Sequence, residues 1–195
     1  MKHGVASPSL SKDATEFDSG GTTPYGDVLF TTELIGTNSR RLKDSDHTLL
    51  PTLHTFTYDT DFYVTNLSIT KTLEFDLTMY MQGVKMVWGT QCSHMGDHDW
   101  DVYDSENHKW ISAGVPCEMV NGWNHLTIHA ERGTDNSTIY KSITLNGKTY
   151  TLDTTYGPGT ANPSWWGLTV NYQMDGDKKS DANTTYLDNF SFSYQ

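Results

Sequence analysis

Thr72-Leu-Glu-Phe-Asp-Leu-Thr-Met-Tyr-Met81 is the stretch that decides the fold. Leu73, Phe75, Leu77, Met79 and Met81 alternate strictly with Glu74, Asp76, Thr78 and Tyr80. A period of two predicts a strand with one side on a core and the other facing solvent or a ligand. Downstream, Ser137 to Leu145 runs into Asn146-Gly147, and Lys148 to Leu152 returns. Asn-Gly is the favoured two-residue hairpin turn, because both positions need a positive φ. Further strands are predicted over 27–33, 53–64, 84–91, 99–104, 123–131, 165–173 and 186–194. One short helix is predicted from Leu42 to Leu50, stopped by Pro51. About ten strands with no helical crossovers predict an all-β chain, folded as a sandwich of two antiparallel sheets.

Composition agrees. The chain holds 28 Thr and 24 aromatic residues but only 6 Ala, and Thr and aromatics suit a pleated, half-buried surface. Its 195 residues suffice for one domain with a full core. Residues 1–24 read as a polar arm of that domain, and 25–195 as a single β-sandwich. Lys and Arg total 13 against 24 Asp and Glu, a formal charge of −11. That sign excludes a backbone-reading nucleic-acid binder. No apolar run approaches the roughly 18 residues that span a bilayer, so membrane insertion is not expected.

Met1-Lys2-His3-Gly4 leads straight into polar residues, as in a cytosolic chain or a trimmed mature domain. A Thr-, Asn- and Tyr-rich, Lys-poor composition favours a secreted protein. So do Cys92 and Cys117, the only two cysteines, each in a polar loop. Such a pair predicts a disulfide, worth about 3 kcal/mol by loop entropy. The sequons at Asn66, Asn136, Asn183 and Asn189 are expected by chance in so Asn- and Thr-rich a chain.

Trp123-Asn-His-Leu-Thr-Ile-His129, followed by Tyr140-Lys-Ser-Ile-Thr-Leu-Asn-Gly147, resembles a hairpin of laminin-G-like and concanavalin A-like lectin/glucanase domains. Tyr186-Leu-Asp-Asn-Phe-Ser-Phe-Ser193 resembles the closing strand of that jelly roll, and Thr72-Leu-Glu-Phe-Asp76 an earlier strand carrying acidic residues. Trp166-Gly-Leu-Thr-Val-Asn-Tyr-Gln173 is similar to exported bacterial lectin-like proteins. The resemblance covers roughly residues 50–195. It implies a concanavalin A-like jelly roll whose concave front sheet holds an oligo- or polysaccharide, often with structural calcium nearby. No other cofactor is expected.

Glu74 and Asp76 lie two apart on one strand, so they share a face with Cα atoms about 7 Å apart. Paired carboxylates there are the equipment of a glycoside hydrolase, or else a hydrogen-bonded structural pair or ligands for calcium or a sugar. Laminarinases and lichenases of the resembled superfamily carry Glu-x-Asp-x-x-Glu; here the last position is Met79. A general acid would have to come from Glu131, Asp99 or Asp101. Alginate-lyase-type jelly rolls use Tyr, His, Arg and Gln. Tyr80 or Tyr172, His125 or His129, and Gln91 could imitate that set, but no central strand carries an Arg. A charge of −11 would also repel a uronate polymer.

Asp99, Asp101 and Tyr103 form a second acidic face, opposite Trp100, Val102 and Asp104. With His94, Asp97 and His98 nearby this stretch reads as a solvated acidic loop, a sugar contact or a metal site, for which the oxygen ligands suit calcium better than a transition metal. Asp175, Asp177 and Asp181 are candidate calcium ligands in a Gly-containing loop, although Lys178 and Lys179 between them oppose a cation. A plain surface turn is the other reading. Trp88 and Trp100 are candidates for stacking on a sugar ring, with core packing as the alternative for each. Trp123 is expected in the core, and one of Trp165 and Trp166 exposed. Asn171 and Gln173 complete the expected ligand-binding set of Glu74, Asp76, Trp88, Asp99, Trp100, Asp101 and Tyr103.

Overall fold

In the computed structural model, which describes residues 1–195, sixteen strands form two sheets packed face to face. The seven-stranded sheet begins with β1 (Lys2–Val5), β2 (Ala14–Ser19) and β16 (Asn183–Tyr194). It continues through β5 (Thr55–Val64), β11 (Gly122–Arg132), β12 (Thr138–Leu145) and β13 (Lys148–Tyr156). The nine-stranded sheet runs β10 (Lys109–Pro116), β9 (Asp99–Asp104), β8 (Thr90–Cys92), β6 (Thr70–Met81) and β15 (Gly167–Gly176). Beyond β15 lie β3 (Asp27–Gly36) and β4 (Leu42–Lys43), while β7 (Val84–Trp88) pairs with β6 and with β14 (Gly159–Thr160). Every pairing is antiparallel except that of β3 with β4. The fold is the jelly-roll sandwich expected.

The polar arm is sheet rather than irregular chain, because β1 and β2 extend the seven-stranded layer beyond β16. Asp188 fastens it: one carboxylate oxygen accepts the Ser9 hydroxyl at 2.7 Å and the Leu10 amide at 2.6 Å. The Asn146-Gly147 turn forms as expected, with φ of 51° and 79° and Leu145 opposite Lys148.

The helix expected over Leu42 to Leu50 does not form. The segment holds β4, then turns, then a single 3-10 turn at Leu50–Thr52. The cause is Asp44, which is buried and accepts the Thr48, Leu49 and Leu50 amides and the Trp166 indole N–H. An Asp side chain that takes several backbone amides organises a loop and competes with helix formation. The strand expected over 84–91 is two strands interrupted at Gly89, and the strand expected over 165–173 starts at Gly167, leaving Trp165 and Trp166 in the turn before it.

One apolar cluster of 31 buried residues fills the space between the sheets. Phe75 sits centrally, its ring 5.0 Å from Phe62 of the opposite sheet, 5.3 Å from Tyr172 and 6.5 Å from Trp100. Five apolar side chains of β6, Leu73 to Met81 at every second position, are all in this cluster. Their burial leaves Glu74, Asp76, Thr78 and Tyr80 on the outer face.

Candidate functional site

The outer face of the nine-stranded sheet carries a continuous polar row. Strand register sets Ser112 opposite Asp101, Asp101 opposite Gln91, and Gln91 opposite Glu74. Glu74 is in turn opposite Gln173, and Gln173 opposite Leu29. Side chains within the row are tied laterally. Gln91 Nε2 donates to Asp101 at 2.7 Å, and Gln173 Nε2 donates to Glu74 Oε1 at 2.7 Å and to Asp175 at 3.1 Å. One step along, Thr31 donates to Asn171 Oδ1 at 2.6 Å, and Asn171 Nδ2 donates to Thr78 at 3.3 Å.

The centre is recessed. Glu74 and Asp76 point away from the core, yet they are only 6% and 7% exposed. Burial pushes Glu74 up to about 9, with Asp76, Asp175 and Asp27 adding repulsion. Burial also takes Asp76 to about 7, against the pull of the Thr90 amide, and Asp175 to about 6, with Asp27 adding to the rise. A buried carboxyl with like charges nearby keeps its proton. Glu74 therefore holds its proton more firmly than Asp76 or Asp175.

Aromatic pairs stand at two places along this face. Tyr103 and Trp110 pack edge to face with centroids 5.2 Å apart, and Tyr80 and Trp165 do the same at 5.2 Å. Trp165 is 54% exposed. Gly89 lies beneath the first pair: a Cβ there would come within 2.9 Å of the Trp110 ring and 2.8 Å of Tyr103. The absent side chain is what allows the indole to lie down on the sheet.

Of the residues expected to bind ligand, Glu74, Asp76, Asp99, Asp101, Tyr103, Asn171 and Gln173 share this face. Trp88 and Trp100 do not. They are 1% and 0% exposed and belong to the core, on the inward positions of their strands. The stacking candidates are Trp110 and Trp165 instead. Trp110 was legible as the residue two before Ser112 on an alternating strand; Trp165 lies in a turn and has no periodic signal. Trp123 also departs from expectation: it is half-buried, 5.3 Å from Tyr63 on the outer side of the other sheet.

Glu131, the proposed general acid, is on β11 in the opposite sheet and cannot reach Glu74 across the core. Tyr172 faces inward, is buried, and shares a hydrogen bond with Thr185 at 2.7 Å. The lyase-like set does not assemble either, since His125 and His129 lie on the outer face of the seven-stranded sheet against Asp61 and Thr57. The three aspartates offered for calcium part company. Asp175 joins the row, whereas Asp177 accepts the Lys179 and Asp181 amides as a turn cap. No group of three His, Cys, Asp or Glu side chains is placed to hold a metal ion. Cys92 and Cys117 are bonded, Cα atoms 5.6 Å apart, tying β8 to the segment after β10.

A second hollow of about 400 Å³ opens between the sheets, lined by Phe17, Phe30, Tyr58 and Phe190 with Asp188 and Asn189. Two of its polar groups, the Tyr172 hydroxyl and the Asp188 carboxylate, already have protein partners. The outer face offers open polar atoms and is the better site.

No protein-family profile and no curated protein sequence matches this chain. Solved structures do match in fold. The cellulose-induced protein Cip1 is 12% identical with a TM-score of 0.54, over 98% of this chain and 84% of that one. A lectin, UEA-II complexed with galactose, is 10% identical with a TM-score of 0.46, over 89% and 84% of the two chains. An alginate lyase from Alteromonas sp. 272 is 7% identical with a TM-score of 0.42, over 100% and 93%. At 12% identity the likeness to Cip1 bears on the fold alone, the jelly-roll sandwich, and leaves activity to be argued from the site.

Proposed function

We propose that this chain is a saccharide-binding domain that holds an oligo- or polysaccharide along the outer face of the nine-stranded sheet. One observation carries the reading: a row of polar side chains, mostly amides and carboxyls, crosses five neighbouring strands from Ser112 to Gln173, on the face that also carries the Tyr103–Trp110 and Tyr80–Trp165 pairs. At about 4.8 Å per strand the row is roughly 19 Å long, room for several linked sugar rings. Ring hydroxyls both donate and accept, which suits alternating amides and carboxyls, and the apolar face of a sugar stacks on Trp110 or Trp165. Each neutral hydrogen bond contributes about 1 kcal/mol net, so a single site binds modestly. The disulfide supports an exported setting, because such bonds persist in oxidising compartments.

Calorimetric titration against an oligosaccharide panel tests this. Binding is expected, weakened about tenfold by Trp110→Ala, the loss of one stacked ring. Binding untouched by both Trp110→Ala and Glu74→Gln would remove the site from this face.

Glu74, protonated beside the more acidic Asp76, also favours a second reading, a glycoside hydrolase working in the same groove. Release of reducing ends from a bound polysaccharide separates the two.

A further inference from the structure

We propose that the hollow between the two sheets is a second binding site, for a small aryl carboxylate whose ring enters among Phe17, Phe30, Tyr58 and Phe190 and whose carboxylate meets Arg41. This site is independent of the saccharide reading. The hollow has about 400 Å³, within the range of ordinary small-molecule sites, which are largely apolar with a few polar groups. Two sets of rings line it. Phe17 packs edge-on against Phe30 at 4.7 Å and against Tyr172 at 5.0 Å. Tyr58 packs edge-on against Phe190 at 5.0 Å. A β-bulge between Asp188 and Ser191, with Asn189 at a φ of 50°, sets Phe190 here, 40% exposed. A non-glycine residue seldom adopts that backbone, and bulges commonly re-aim a side chain. β3, whose free edge is joined by β4 only at Ile35 and Gly36, adds Phe30, Thr31 and Thr32 to the lining.

The polar groups of the hollow decide the class of ligand. Asp188 accepts two hydroxyls and three amides, and the Tyr172 hydroxyl is bonded to Thr185. Neither calls for a polar group from a ligand, so the body that enters is apolar, and the surrounding rings favour an aromatic one. Arg41 also borders an adjoining polar depression, which it lines with Arg40, Asn38, Glu33, Thr31 and Thr32. None of the four ion pairs of the molecule includes Arg40 or Arg41. Glu33, the one carboxylate of that depression, turns its Oε1 into the space beside Gly36. The third arginine, Arg132, is by contrast committed to the Leu53 and Pro51 carbonyls, Asn136 and His54. Two adjacent guanidiniums without a carboxylate, in a chain of formal charge −11, suit an anion, and a guanidinium grips a carboxylate by two parallel hydrogen bonds. Asp13, also in the lining and without an ion-pair partner, would repel the anionic head and so orients it toward Arg41.

The test titrates the intact chain with 2-naphthoate and with three analogues: 2-naphthalenemethanol, 2-naphthylmethylammonium and decanoate. 2-Naphthoate should bind at least about fivefold more tightly than each of them, and its margin over the alcohol should shrink in high salt. Arg41→Gln, at an exposed side chain, should remove that margin and leave thermal unfolding unchanged. Phe190→Ala should weaken both the naphthoate and the alcohol about fivefold. If it also lowers thermal unfolding, Phe190→Leu keeps the apolar bulk without the ring and should still weaken them. Trp110→Ala and Trp165→Ala should leave naphthoate binding intact. Equal or tighter binding of the alcohol or the ammonium overturns the carboxylate assignment, and equal or tighter binding of decanoate overturns the aromatic one. No binding of 2-naphthoate at millimolar concentration, binding untouched by both Arg41→Gln and Phe190→Leu, or loss of binding in either tryptophan variant overturns the site itself. None of these outcomes bears on saccharide binding, which is read with a separate ligand.

Discussion

Two strands of this protein carry two acidic residues flanking one inward side chain, and the molecule treats them in opposite ways. On β5, Asp59-Thr60-Asp61 faces out from the seven-stranded sheet, and His125 bridges the pair, Nδ1 2.9 Å from Asp61 and Nε2 3.3 Å from Asp59. Thr127 and Asn189 add further donors to the same carboxylates. On β6, Glu74-Phe75-Asp76 faces out from the nine-stranded sheet into a recess, among other carboxyls and with two oxygens open. The first pair is a finished surface. The second has fewer protein partners, one hydrogen bond to each carboxyl. Spacing along the strand creates both; only the neighbours across the sheet tell them apart.

The largest effect that should sharpen this contrast lies beneath the pairs. Phe75→Ala, at the centre of the core, should cost about 3–5 kcal/mol, whereas Thr60→Ala, losing a hydroxyl bond to the Asp188 carbonyl, should cost about 1 kcal/mol. Denaturant midpoints read both, and equal losses would mean that the two strands are not anchored differently.

Next in size is the pH dependence of stability. Burial, with Asp76 and other carboxyls nearby, raises Glu74 from 4.5 to about 9 in the folded protein, so the native state binds a proton that the unfolded chain has released. That contribution is complete below pH 4.5 and is lost as the pH climbs toward 9. Glu74→Gln should flatten the decline by an amount on the order of 3 kcal/mol. A wild-type stability curve level from pH 5 to 9 would show that the carboxyl is not held protonated.

The smallest effect belongs to the finished pair. His125 is half-exposed, and an exposed ion pair is worth under about 1 kcal/mol. His125→Ala should therefore shift thermal unfolding only slightly and leave saccharide titrations unchanged; a large loss of binding would place ligand on the wrong sheet.

Much of the architecture was legible because alternation is a local property. Leu73 to Met81, the Asn146-Gly147 turn and the Asp99–Asp101–Tyr103 face all follow from spacing alone. The helix expected near Leu42 failed because what organises that segment is a buried Asp44 bonded to Trp166, more than a hundred residues away. The indoles failed for a related reason. Period two says that Trp88 and Trp100 share a side of their strands with other residues, but which side is inward depends on the partner strand. Glu131 and Tyr172 were attractive as chemistry and misplaced by topology, one on the far sheet and one inside the core.

Gly89 gives the groove an unusual dependence. The broad flat ring of Trp110 rests where a side chain would otherwise stand, so the surface proposed to meet a sugar is shaped by a residue with no side chain of its own. Any methyl there would meet the indole at 2.9 Å and the Tyr103 Cβ at 2.8 Å, so the ring would be lifted and β9 beside it would have to give.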